Sequence, residues 1–89
     1  MEYEKAFTDF EKMRYESAWR GYKYKDYGMM YEYINKRLGN LDANFFMNQD
    51  KKWKRVFCAR FVYLYHPEKE KQEEAKKFYE RNKSVIEWK

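Results

Sequence analysis

Cys58 and His66 are the only thiol and the only imidazole in the chain, so they are the first candidates for a nucleophile and its base. They lie eight residues apart, about two helical turns, which is too far for a nucleophile–base hydrogen bond. The simpler interpretation makes Cys58 a small buried apolar residue and His66 a helix-end residue before Pro67. Zinc-ligand clusters, calcium-loop spacing and glycine-rich phosphate loops are all missing. The sequence therefore predicts a protein that is not an enzyme and that holds no metal and no cofactor.

The stretch KKWKR, residues 51–55, carries a stronger signal. If Asp50 caps a helix here, the four cations Lys51, Lys52, Lys54 and Arg55 fall near its N-terminus, where the helix dipole disfavours positive charge. When a sequence departs from such a local preference and no compensating interaction is visible, the position is often functional. Cations beside free backbone N–H groups suit phosphate, and Trp53 could stack on a base. The competing interpretation places Trp53 in the core and the lysines in solvent.

The stretch YKYKDY, residues 22–27, offers a second candidate surface. Tyr22 and Tyr24 could stack on bases while Lys23 and Lys25 meet phosphates, as on single-strand binding platforms. The alternative is a joint between two helices whose tyrosine rings cover the ends of a bundle. Elsewhere, KEKQEEAKK alternates in charge and is typical of a solvated helix face. Trp88 is either a clamp on the bundle or an exposed anchor.

The helices that position these residues can be predicted from the spacing of apolar residues along the chain. Tyr3, Phe7, Phe10, Met13 and Ser17 recur at helical steps, which predicts a helix over about 2–20 with Gly21 as its C-cap. A second set of apolar residues at helical spacing runs from Tyr27 to Leu38 and predicts a helix over about 27–38. Asp26 is its expected N-cap and Gly39 its expected C-cap. The last helix is expected over 68–88, with Pro67 suited to its first turn. Its inner stripe consists of Ala75, Phe78, Tyr79, Asn82, Val85 and Ile86.

The middle of the chain is ambiguous. Residues 40–49 could form a short helix capped by Asp42 that buries Phe45 and Phe46. Residues 50–65 fit a helical stripe ending at Leu64, but they are also rich in β-branched and aromatic residues, as in a buried strand. The prediction is all-α, one domain over residues 1–89 with four or five helices; the alternative is α+β with a hairpin within 43–64.

The amino-acid composition limits the classes of function that the chain can have. The chain has ten Tyr, seven Phe and three Trp against only eight Val, Ile and Leu, so the core must use rings and some rings must reach the surface. Such an excess raises the expectation of a contact surface. A net charge of +5 excludes an acidic mimic of DNA. One cysteine, no signal-peptide pattern and no membrane-length apolar run predict a cytoplasmic, reducing location away from membranes.

The function that fits best is a small interaction protein that docks a ring-rich, basic surface on a host protein or protein–nucleic acid complex. In size and composition it resembles inhibitors from phages and mobile elements, for example anti-CRISPR proteins, although no motif carries the resemblance. The second hypothesis is direct nucleic-acid binding through residues 22–25 and 51–55. The third is a structural subunit or homodimer that buries its surplus rings against a copy of itself.

Overall fold

Residues 9–86 are described by a computed structural model, and they contain five α-helices and no strand. The helices are α1 (Asp9–Tyr24), α2 (Gly28–Leu38), α3 (Asn40–Met47), α4 (Lys51–Tyr65) and α5 (Lys69–Asn82), followed by a 3₁₀ turn at Lys83–Val85. The all-α prediction is confirmed. The hairpin alternative is wrong, because residues 53–64 and nearly all of 43–48 are helical.

Helix α4 lies at the centre, packed against α1 and α5, while α2 packs on α1 and α3. Small residues let the helix backbones approach closely: Ala18, Cys58, Ala59 and Ala75 have no exposed surface. Rings then fill the wider spaces, among them Tyr33 and Phe46. The core thus combines small residues at the helix crossings with rings between them.

Helix α1 does not end at Gly21. It continues to Tyr24, so the prediction of a C-cap glycine at residue 21 is wrong. Gly21 is buried, and a Cβ there would lie 2.3 Å from Cys58 Sγ on α4. The glycine is present because α1 and α4 cross closely at this point. The predicted start of this helix, over residues 2–8, lies outside the described residues.

The stretch YKYKDY is half helix and half joint. Tyr22, Lys23 and Tyr24 form the last turn of α1, and the turn follows at Lys25, whose φ of 58° is left-handed. Asp26 Oδ1 accepts a hydrogen bond from the N–H of Gly28 at 3.2 Å. The N-cap position itself is Tyr27, one residue later than predicted.

Gly39 separates α2 from α3, as its predicted C-cap role requires. Its φ is 103°, a conformation that favours glycine, and its N–H donates to the carbonyls of Ile34 and Asn35. Gly39 is also the N-cap of α3, so Asp42 lies in the first turn and is not the predicted cap. Phe46 is buried as expected, but Phe45 is 48% exposed.

Helix α4 begins with the predicted cap and ends at a buried histidine. Asp50 Oδ1 accepts a hydrogen bond from the N–H of Trp53 at 2.8 Å. His66, at the C-cap, is buried against Tyr15 and Trp19, and its Nδ1 accepts from the N–H of Glu68. Pro67 lies in the bend before Glu68, the N-cap of α5, and therefore is not in the first turn of that helix.

The predicted apolar stripes extend too far at their ends. Helix α5 stops at Asn82, and Val85 is 37% exposed instead of facing the core. Leu38 and Leu64, the last members of two other stripes, are also exposed. Each lies in the last turn or just past the end of its helix, where the five described helices leave it exposed. Trp88 lies outside the described residues.

Candidate functional site

The structure brings the two predicted surface stretches to the same end of the bundle. Arg55 Nε donates a hydrogen bond to the carbonyl oxygen of Tyr22 at 2.9 Å. The hydroxyl of Tyr27 donates to the carbonyl oxygen of Lys51 at 3.2 Å. Residues 22–27 and 51–55 are therefore adjacent in space, although they are far apart in sequence.

Tyr22 does not face solvent. Only 5% of it is exposed, and its ring lies between Trp19 and Phe78 at centroid distances of 5.8 and 5.3 Å. Burial, and after it the nearby Glu74 carboxylate, raises the pKa of the Tyr22 hydroxyl, which donates to Glu74 at 3.1 Å. The Arg55 guanidinium lies 4.5 Å from the Phe78 ring centroid. Tyr22 and Arg55, both predicted to contact a partner, thus make their contacts within the bundle.

Lys23 is exposed but paired. Its Nζ lies 2.5 Å from Glu74 Oε2, and this hydrogen bond is the main reason that the pKa of Glu74 lies below its usual value. The charge of Lys23, one of the two lysines of YKYK, is therefore offset by the Glu74 carboxylate of α5. Lys25 remains, beside Tyr24, which is 68% exposed.

The cations of KKWKR are compensated by the predicted Asp50 cap and by contacts that the sequence did not show. The Asp50 carboxylate accepts from the Trp53 N–H, so negative charge already occupies the start of α4. Lys54 Nζ donates to the carbonyl oxygen of Met47 and lies 4.9 Å from the Tyr27 ring centroid. Arg55 bonds to the α1 backbone, as above. Lys51 and Lys52 alone among these cations are exposed, and together with Tyr24 and Lys25 they form the basic patch.

Trp53 packs into a row of rings. It stacks on Phe57, with centroids 5.3 Å apart and planes at 12°, and meets Phe45 and Phe46 edge-on. Phe57 in turn contacts Phe61 at 5.0 Å. These α4 rings recur every fourth residue and so form one continuous ridge along the helix.

The ridge borders a groove of about 610 Å³ that is lined mainly by α2, α3 and α4, with Tyr79 of α5 and Ile86 completing the lining. We call it the aromatic groove. Its buried and half-buried lining residues, the floor, are Tyr33, Ile34, Phe46, Trp53, Phe57, Phe61, Tyr79 and Ile86. Its exposed lining residues, the rim, are Arg37, Leu38, Asp42, Phe45 and Arg60.

Of the predicted site residues, only Trp53 lines the aromatic groove. Arg37 and Arg60 were missed because each looks like an ordinary solvated residue of its own helix. One signal was available: Trp53, Phe57 and Phe61 lie four residues apart, and Phe45 and Phe46 are adjacent on a short helix. Such a helix cannot bury both neighbouring rings, so one had to face outwards.

Cys58 and His66 lie in separate environments. Cys58 is fully buried against Gly21, and burial raises the pKa of its thiol far above the usual value. Burial lowers the pKa of His66. Across residues 9–86, no three His, Cys, Asp or Glu side chains are grouped closely enough to hold a metal ion.

None of the helices described is long and apolar enough to cross a bilayer. The chain matches no protein-family model, no curated protein and no solved structure.

Proposed function

We propose that this is a non-enzymatic interaction protein that docks on a partner protein through the aromatic groove. The observation that carries the proposal is the groove itself, an open space of about 610 Å³ lined mostly by rings. Concave apolar surfaces that retain a few polar groups are the usual form of binding sites. Tryptophan and arginine, both present here, are the residue types that most often dominate binding energy.

Exposed apolar area supports the same proposal. Phe45 is 48% exposed and Leu38 is 65% exposed, and both border the groove. Single exposed apolar residues are ordinary, but a contiguous set around a cleft usually marks an interaction site. Trp53 fits the role of anchor because it is partly buried among rings and still lines the open groove.

Two leucines provide a matched test. Leu38 lines the groove and Leu41, which is 87% exposed, does not. Replacing either by lysine leaves the core untouched, so Leu38→Lys and Leu41→Lys should both fold with nearly unchanged Tm. The tagged wild type and both variants are recovered from cells in which the protein naturally occurs, with and without nuclease treatment, and partners are identified by mass spectrometry.

A partner that survives nuclease, binds the wild type and Leu41→Lys, and is lost with Leu38→Lys would support the proposal. If every recovered protein binds all three forms equally, the groove is not the docking site. If every partner disappears on nuclease treatment, direct nucleic-acid binding explains the interactions instead.

For the partner class, we propose a nucleic-acid-handling complex of a host, on which the protein acts as a phage-type inhibitor such as an anti-CRISPR protein. Small size, ring-rich composition and net charge of +5 support this choice. The test is whether the purified protein inhibits the recovered complex and whether Leu38→Lys relieves the inhibition. Unimpaired activity of the complex in the presence of saturating wild type would refute it.

The second candidate function is nucleic-acid binding, and the adjacency of the two basic stretches favours it. The basic patch exposes three lysines and the Tyr24 ring at one end of the bundle. The decisive variant replaces Lys25, Lys51 and Lys52 by alanine, because Lys54 and Arg55 have structural partners. Oligonucleotide binding that weakens steeply with salt and disappears in this variant would establish it; no binding by the wild type at low salt would exclude it.

A further inference from the structure

The rim of the aromatic groove carries two guanidinium groups from different helices. Arg37 belongs to α2 and Arg60 to α4, both side chains are exposed, and both line the groove. No described carboxylate is within ion-pair distance of either of them. Their hydrogen-bonding capacity is thus available to a bound molecule, unlike that of Arg55.

The charge around the groove is positive. Among the residues that the structure describes, Asp42 is the one acidic residue in its lining, against the two arginines. Arginine donates in a planar fork that matches a carboxylate, and it binds such groups better than lysine does. Most of the other lining residues are aromatic, so the site combines an apolar floor with a rim that carries two guanidinium groups.

From this arrangement we infer the chemistry of the partner, on the assumption that the proposed docking function is correct. The groove binds a protein segment that places a large apolar side chain on Phe46, Trp53 and Phe57, with a neighbouring carboxylate at Arg37, at Arg60 or at both. A lysine- or arginine-flanked segment of equal apolarity is rejected, since the rim would leave like charges facing each other.

The chemistry can be tested with a library of random peptides displayed on a carrier and selected against the wild-type protein. Peptides that bind wild type and Leu41→Lys but not Leu38→Lys define the groove-dependent set. Within that set we expect Trp, Phe, Leu or Ile next to Asp or Glu. The best peptide is then synthesised, and its Kd is measured for each variant by titration calorimetry.

Charge reversal at the rim is the sharper measurement. Arg37→Glu/Arg60→Glu should weaken binding of the acidic peptide at least about tenfold, because two attractions become repulsions. It should also select peptides flanked by Lys or Arg from the same library. Lys36→Glu/Lys69→Glu is the matched control, since both lysines are exposed, neither lines the groove and the net charge change is identical. It should change the Kd less than about threefold, as expected for charges away from the contact.

The outcomes separate the inference from the function on which it rests. Groove-dependent peptides without an acidic preference would overturn the inference and leave docking intact. A library with no peptide sensitive to Leu38→Lys would overturn both. Self-association of the wild type that Leu38→Lys abolishes, seen by sedimentation, would overturn the inference by assigning the groove to a second copy of the chain.

Discussion

Replacing Gly21 by alanine tests the close approach of α1 and α4. The new Cβ would lie 2.3 Å from Cys58 Sγ and 3.1 Å from Cys58 Cβ. Non-bonded heavy atoms prefer separations of about 3.5–4.0 Å, so the sulfur or the helices must move by more than about 1 Å. Because Cys58 is fully buried in the core, neighbouring side chains resist that movement.

Two opposing effects determine how much Gly21→Ala changes the free energy of unfolding. Alanine is more favourable than glycine inside a helix by about 1 kcal/mol, which stabilises the variant. Overpacking of a dense core destabilises by about 1–3 kcal/mol, and this severe contact belongs at the upper end. We therefore expect Gly21→Ala to lower the free energy of unfolding by about 2 kcal/mol, and the Tm by about 8–16 °C for a domain of this size.

A double-mutant cycle with Cys58→Ala identifies the cause. Removal of Sγ leaves Cys58 Cβ at 3.1 Å and Tyr27 Cδ1 at 3.3 Å as the nearest atoms, both within a few tenths of an ångström of ordinary distances. In that background the helix-propensity gain should nearly offset the strain, which gives a coupling energy of about 2 kcal/mol. Gly28→Ala is the control, since Gly28 is exposed and its Cβ meets nothing closer than 3.7 Å.

Urea unfolding followed by circular dichroism provides all four free energies of the cycle. Equal losses from Gly21→Ala in both backgrounds would show that the Cys58 sulfur is not what excludes a side chain. A wild-type background that tolerates alanine without loss would contradict the close crossing of α1 and α4 altogether.

Three further predictions concern the caps, the core and the single histidine. Asp50→Ala should lower the free energy of unfolding by about 1 kcal/mol, because the Trp53 N–H loses its acceptor; an unchanged urea midpoint would contradict the cap. Phe46→Ala should cost about 3–5 kcal/mol, whereas Leu41→Ala should stay within about 0.5 kcal/mol, since Phe46 is 2% and Leu41 87% exposed. Burial lowers the pKa of His66 below 6.5, so between 6.5 and its lower folded-state pKa the unfolded chain binds more protons and stability decreases as the pH is lowered. A His66→Asn variant should not show this fall in urea midpoints measured across the window.

The sequence predicts the elements better than their ends. Periodicity identified the helices, and the caps Gly39 and Asp50 were found because each acts through its own backbone or side chain. Gly21 was misassigned because a glycine after a helical stripe is typical of both a C-cap and a close crossing. The distinction depends on Cys58, which is distant in sequence and adjacent only in the fold.

The candidate site was less predictable for the same reason. KKWKR looked uncompensated because its partners, among them the Tyr22 carbonyl and the Tyr27 ring, belong to another helix and to the joint before α2. Lys23 looked available for phosphate because Glu74 lies on α5. Tertiary contacts therefore removed several predicted contact residues from the surface, and no local pattern in the sequence could have shown it.

The aromatic groove follows from the length and placement of α3. Gly39 and Asp50 confine this helix to Asn40–Met47, and it packs mainly against α2. Phe46 is the residue of α3 that meets both Trp53 and Phe57 of α4. Within residues 9–86, the rest of the α4 ridge borders the open groove. A longer α3 would extend over more of this ridge. The open groove is thus linked to the excess of aromatic residues in the composition. Stiff rings on a helix as short as α3 cannot fill the space that they border.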